Sequence, residues 1–447
     1  MKNYMVSKVI LRWSLLFLIF ALLMGLYGAY IYIFGSVHSI LSFRQCRPLH
    51  VSAAVFWILS AALGSVMYFC SSLVSSKMPF GFLWRLFQWL WVGTIIAIFL
   101  CFLFAKFGGR EYWEFPPILS VPLLIAWLLA SVNFFAIIKR INKPYPVYVW
   151  MWASGFIFFG IAFLESNLWL IPWFRSNIIR DITIQWKANG SIVGSWNMLI
   201  YGTSIYLMEK ISGNKKMAYQ NRSFLFYFLG LTNLMFNWGH HTYILPAALW
   251  VQHISYAISM TEWIVLISIF RSFRIKLQEA NKYLFNIPYR FLLASEIWLL
   301  LNLILAIFMS IPYFNSFSHG THITVAHAMG TTIGINSMIL MGSIFYIIEE
   351  NASEVLKRHR KWIIFLWYIV NISLLVFWLA LILAGLIKGL AGPEQISTQF
   401  SQINAKIVPY LTWFYIAGFG VALALGSLAL MAFKILRLNF KVPPNKI

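Results

Sequence analysis

Residues 322–348 read HITVAHAMGTTIGINSMILMGSIFYII, without one Asp, Glu, Lys or Arg. At about 1.5 Å per residue a helix of this length reaches about 40 Å, more than the roughly 30 Å hydrocarbon core of a bilayer. So long an apolar run predicts a membrane-spanning helix, because in lipid a backbone must satisfy its own hydrogen bonds. What sets it apart from an ordinary span is the pair His322 and His327 in its outer turns, just after His319.

The same ruler, moved outward along the 447 residues, predicts eleven more spans. The twelve lie at roughly 9–35, 48–74, 85–107, 117–139, 146–171, 191–208, 222–238, 243–270, 289–313, 322–348, 362–389 and 407–434. Composition agrees: 61% of residues are hydrophobic, 10% are charged and the mean hydropathy is +0.77. A water-soluble globule carries about 25% charged residues, so that class is excluded. The first span is too long for a cleavable signal peptide and leads straight into further spans. With no repeat and no long loop, residues 1–447 are expected to form one all-α, polytopic membrane domain of twelve helices.

The net charge of +22 first suggests an acidic partner such as nucleic acid. Its distribution says otherwise. Every second loop, from the N-terminal Lys2, Lys8 and Arg12 to the tail Lys434–Lys446, together holds 25 of the 34 basic residues, and the alternate loops hold 9. By the positive-inside rule both termini face the cytoplasm, and no nucleic-acid partner is implied. Cys46, Cys70 and Cys101 match neither a disulfide framework nor a zinc spacing, and they receive no role.

With this topology the histidines sort by depth. His50 opens helix 2, His240 and His241 end helix 7, and His319, His322 and His327 open helix 10, all toward the outer side. His359 is cytoplasmic, His38 lies in the first outer loop and His253 lies within helix 8. Imidazoles from separate helices at one depth suit a metal or heme site in a bundle, although any single one could be an interfacial histidine. His327 and Met329 project about 200° apart, so helix 10 could reach a cofactor on each side. Imidazole and thioether are both heme axial ligands, and Met329 could equally be a packing residue.

Carboxylates are few: Asp181 and eleven Glu. Glu165, Glu262 and Glu296 fall inside spans, where an ionisable group is costly unless paired or functional. Glu262 follows His253 by nine residues, half a turn out of phase, so only one of the two faces the histidine cluster. In the outer loop Gly108–Pro117, Glu111 and Glu114 offer hard oxygens for a divalent cation such as calcium, or a partner for Arg110.

Taken in order, Arg47-Pro48-Leu49-His50, Gly109-Arg110-Glu111-Tyr112-Trp113-Glu114-Phe115-Pro116, Asn237-Trp238-Gly239-His240-His241-Thr242-Tyr243, Ser259-Met260-Thr261-Glu262 and the helix 10 run make the chain similar to the catalytic subunit (subunit I) of the heme-copper oxidoreductase superfamily. It resembles most the large subunit of cytochrome-c-dependent nitric oxide reductase, with C-family cytochrome oxidases next. The resemblance covers essentially the whole chain and implies a subunit I-like bundle in the cell inner membrane, with its metal sites toward the outer, periplasmic side.

By that resemblance His50 is a low-spin heme ligand, His327 ligates the high-spin heme, and His240 with His241 binds a non-heme iron or copper. Both hemes would be of b type. The family's second low-spin histidine is Met329 here, which implies a His/Met heme or a differently ligated one. In the helix 6 run Asn189-Gly190-Ser191-Ile192-Val193-Gly194-Ser195-Trp196-Asn197, Asn189 stands at the third metal ligand, while Val193 and Asn197 replace two glutamates. Glu262 matches the family's other active-site glutamate, the candidate catalytic residue.

These residues imply a respiratory oxidoreductase that takes electrons from a c-type cytochrome subunit or soluble cytochrome c and transforms NO or O2. The altered helix 6 leaves open a degenerate paralogue for heme-based electron transfer or gas sensing, and an enzyme similar to nitric oxide dismutases. Twelve spans also suit a secondary transporter, but the halves lack the symmetry that class shows.

Overall fold

The computed structural model describes residues 2–35, 39–74, 78–246, 248–268, 283 and 286–438. His38, Lys77, the basic residues from Arg271 to Lys282, the tail residues Lys441 and Lys446, and positions 269–270 of the eighth expected span lie outside them. Among the described residues the chain is all-helical, its only bridge being Arg110 with Trp113. In chain order the long helices are α1 (Lys2–Phe34), α2 (Phe43–Leu73), α3 (Gly81–Leu103), α4 (Ser120–Ile138), α5 (Val147–Glu165), α6 (Ile178–Ser212), α7 (Asn221–Phe236), α8 (Leu249–Met260) and α9 (Ile287–Ser310). Then come α10, which starts as His322–Met329 and runs to 351, α11 (353–391) and α12 (Phe400–Arg437).

Among the described residues, eight helices are long and apolar enough to cross a membrane. One of them, His322–Gly392, holds two of the expected spans, because the chain kinks at Ala352 (φ −151°, ψ 44°). The remaining three expected spans are α6, α7 and α8, which fall short in apolarity or length. α6 starts at Ile178 rather than near 191; Asn177 caps it by accepting from the Arg180 amide at 3.1 Å, and its first turns carry Arg180, Asp181 and Lys187. The span expected at 243–270 starts at Leu249, since Pro246 biases the residue before it away from helical backbone. It breaks at Thr261 and resumes over 262–268.

Tryptophans fill the core. Trp57, Trp84, Trp91, Trp127 and Trp152 are almost wholly buried. Those with a described partner bond their indole N–H, as buried tryptophans usually do: Trp91 donates to Ser60 Oγ (2.9 Å) and Trp57 to Ser337 Oγ (2.9 Å). The latter bond joins α2 to α10 and sets their register. His50 lies seven residues to the outer side of Trp57 and Met329 eight to the outer side of Ser337, each about two helical turns from that bond.

α10 departs from α-helical pitch just below its histidines. Asn302 of α9 donates to the His327 carbonyl (3.1 Å) and to Thr331 Oγ1 (2.7 Å), which itself donates to the same carbonyl (3.1 Å). Side-chain donors thus compete for the carbonyl that a regular i+4 amide would use. Gly330–Ser337 widens into a π-helix, a feature often found at functional sites. α9 presses close there: a Cβ on Gly334 would lie 2.5 Å from Trp298 Cγ.

Candidate metal and heme-binding site

Residues 237–242 leave α7 as a 3-10 turn, and the His240–His241 pair sits on it. α6 holds that turn in place through two glycines. A Cβ on Gly190 would lie 2.6 Å from Trp238 Cβ, and one on Gly194 would lie 2.7 Å from Leu234 Cγ, so larger residues would push the pair away. The imidazoles of His240 and His241 lie 4.2 Å apart, centre to centre. Trp186, one turn above Asn189 on α6, stacks on His241 at 4.3 Å and 5°.

A polar network links the pair to Glu262. His240 Nδ1 lies 3.1 Å from Asn237 Oδ1, Asn237 Nδ2 donates to Glu262 Oε1 at 3.3 Å, and Ser259 Oγ donates to Asn237 Oδ1. Glu262 therefore faces the cluster, while His253 lines a cavity of about 250 Å³ with Tyr243, Gln252, Tyr256 and Asn315. Asn237 and Ser259 belong to the same two motifs as His240 and Glu262, but only the tertiary contact gives them a role.

The remaining predicted residues divide. His327 is held from α9, its carbonyl accepting from Asn302 Nδ2 at 3.1 Å. His319 sits with its ring 5.7 Å from that of His241, edge-on. His322 stands apart, with Tyr32 at 6.4 Å. His50 is pressed into α1, its Nδ1 2.8 Å from the Ala21 carbonyl, which leaves Nε2 as the ring's lone-pair nitrogen. Met329 is partly buried against the core. Asn189 is buried, with Oδ1 accepting from Gln185 Nε2 at 3.1 Å. Asn197 Oδ1 accepts from Asn336 Nδ2 of α10 at 3.2 Å.

Two other carboxylates are accounted for by pairing. Glu165 is ion-paired with Lys187 across α5 and α6. Glu114 does not pair with Arg110: it meets Arg47 at 2.5 Å, and Arg110 meets Asp181 at 2.5 Å. Burial pushes the Glu114 carboxyl up from the usual carboxylate range, and the Arg47 guanidinium pulls it back.

Whether these residues suit metal and heme is tested by buried polar atoms without a partner. His241 Nδ1, His319 Nε2, His327 Nδ1 and Glu262 Oε2 are all buried and unbonded. Desolvated nitrogen and oxygen of this kind cost about 1–3 kcal/mol each unless something occupies them. The donor set therefore fits a metal-bearing group, although among the described residues no three His, Cys, Asp or Glu side chains already meet at one point.

Residues 5–423 match the family of cytochrome c and quinol oxidase polypeptide I. The chain belongs to that family. Its relatives within the family include cytochrome c oxidase subunit 1 of Rhodobacter capsulatus, 22% identical over 417 residues, covering 89% of this chain and 77% of the relative. A nitric oxide reductase subunit of Stutzerimonas stutzeri is 21% identical over 405 residues, covering 83% and 80%. One percentage point does not separate the two branches. Among solved structures, a heme-copper terminal oxidase dimer determined by cryo-EM superposes with a TM-score of 0.76 at 13% identity, covering 99% of this chain and 85% of that one. The oxidase fold expected from the motifs is thus the fold of this chain.

Proposed function

We propose that this family member is the catalytic subunit of a respiratory oxidoreductase that takes electrons from a c-type cytochrome at its outer face and transforms NO or O2. The observation that carries it is the polar chain from His240 through Asn237 to Glu262, with the His241 ring 4.2 Å from that of His240. In this reading the twelve segments form one membrane domain in the cell inner membrane with both termini in the cytoplasm. Two b-type hemes and a non-heme iron or copper would supply the redox chemistry.

The protein's share is ligation, orientation and proton handling. His50 and Met329, each about two turns above the Trp57–Ser337 bond on α2 and α10, would hold the low-spin heme, and His327 the high-spin one. His240 and His241 would hold the non-heme metal, with Asn237 fixing the His240 ring as an outer-shell partner. Glu262, with one oxygen on Asn237 and the other unbonded, would hold and release a proton at Oε2. Where related reductases have carboxylates, Asn197 is neutral and tied to Asn336, which favours O2 or an NO rearrangement over ordinary NO reduction.

Optical and EPR spectra of the purified protein, with metal analysis, test the reading. Two hemes, one with His/Met character, plus one non-heme metal are expected, and NO and O2 consumption then decide the substrate. Hemes without a non-heme metal would instead support an electron-transfer or gas-sensing paralogue.

A further inference from the structure

We propose that His319, and no residue of α6, completes the ligand set of the non-heme metal with His240 and His241. The inference rests on the proposed function and concerns how this chain makes good the missing helix 6 histidine.

Asn189 stands where that histidine is expected, but its oxygen, the one atom of an amide able to bind a metal, already gives one of its two lone pairs to Gln185 Nε2 at 3.1 Å. What it leaves unbonded is Nδ2, which is a donor and not a ligand. An imidazole nitrogen suits iron or copper better than an amide oxygen so engaged.

His319 has the missing features. Its Nε2 is buried and unbonded, as is Nδ1 of His241. Imidazoles bound to one ion at about 2.1 Å in a tetrahedral arrangement hold their centroids about 5 Å apart. The His240–His241 and His241–His319 separations of 4.2 Å and 5.7 Å straddle that value. Trp186 backs both His241 and His319, at 4.3 Å and 5.9 Å, and so limits where either ring can turn.

The backbone is also tied for this purpose. Asn315, in the short helix Pro312–Ser318, donates through Nδ2 to the His240 carbonyl at 3.2 Å, and its own carbonyl accepts from the His319 amide at 2.9 Å. One residue thus clamps the segment carrying His319 to the segment carrying the pair. Gly320 follows at φ +72°, a turn that frees His319 from the α10 helix proper.

The test is non-heme iron and copper per heme in the intact purified chain, for the wild type, His319→Ala and Asn189→Ala. The wild type should hold one non-heme metal per two hemes. His319→Ala should lose at least tenfold of it while keeping both hemes, and Asn189→Ala should keep it. Metal retained in His319→Ala, or lost in Asn189→Ala, overturns the assignment and leaves the proposed function standing. Wild-type protein with hemes and no non-heme metal overturns the proposed function, and this inference with it. If His319→Ala loses its hemes too, the double variant His319→Ala/Asn189→His decides: recovery of hemes and metal supports the assignment, and failure to recover them overturns it.

Discussion

Asn237 bridges His240 and Glu262, with Oδ1 3.1 Å from the imidazole Nδ1 and Nδ2 3.3 Å from the carboxylate Oε1. One amide thereby orients a candidate metal ligand and a candidate proton carrier together. Replacing it with alanine should free both. Asn237→Ala is expected to weaken non-heme metal binding by about 10–100-fold, the usual cost of losing an outer-shell partner. Metal content against heme content in the purified variant checks this.

Glu262→Gln keeps the shape and can still accept from Asn237, but it cannot carry a proton. Gas turnover should fall by about 10²–10⁴-fold, the range general acid–base groups contribute. Hemes and metal should stay at wild-type levels in the same preparation. Unchanged turnover would remove Glu262 from the mechanism.

Met329 can be tested by its potential. A thioether ligand raises the midpoint of a heme relative to a second imidazole. Met329→His is therefore expected to lower the midpoint of the low-spin heme in an optical redox titration, and Met329→Leu to abolish its low-spin spectrum. A spectrum and potential indifferent to both changes would show that Met329 only packs.

Gly194→Val probes how α6 places the histidine pair. The first added carbon would already lie 2.7 Å from Leu234 Cγ. Overpacking of this kind costs about 1–3 kcal/mol. The variant should melt at lower temperature and bind less non-heme metal, whereas Gly213→Ala, in the exposed turn after α6, should leave the metal in place.

Much of the candidate site could be proposed from sequence because its residues are rare types in a lipid-soluble chain. His240, His241, His327 and Glu262 stand out against an apolar background, since a polar group at that depth needs a reason. His50 was legible for the same cause. Glu165 and Glu114 show where rarity alone says least: both are half-buried, and each is met by a cation, Lys187 and Arg47, from elsewhere in the chain. No spacing rule names such a partner, because the pairing is made across helices.

Two properties could be read along the chain without coordinates. Apolar length and the absence of charge give the class of fold, and position within a span gives the depth of each histidine. Both are one-dimensional, set by the thickness of the bilayer. Which side chains share a site is a three-dimensional matter. Asn189 turns its oxygen to Gln185, His319 comes in from the turn before α10, and Asn237 joins His240 to Glu262. Each depends on how far one helix end advances past another. That is settled by glycine contacts at Gly190 and Gly194 and by the π-helix at Gly330–Ser337, where packing overrides the regular helical repeat.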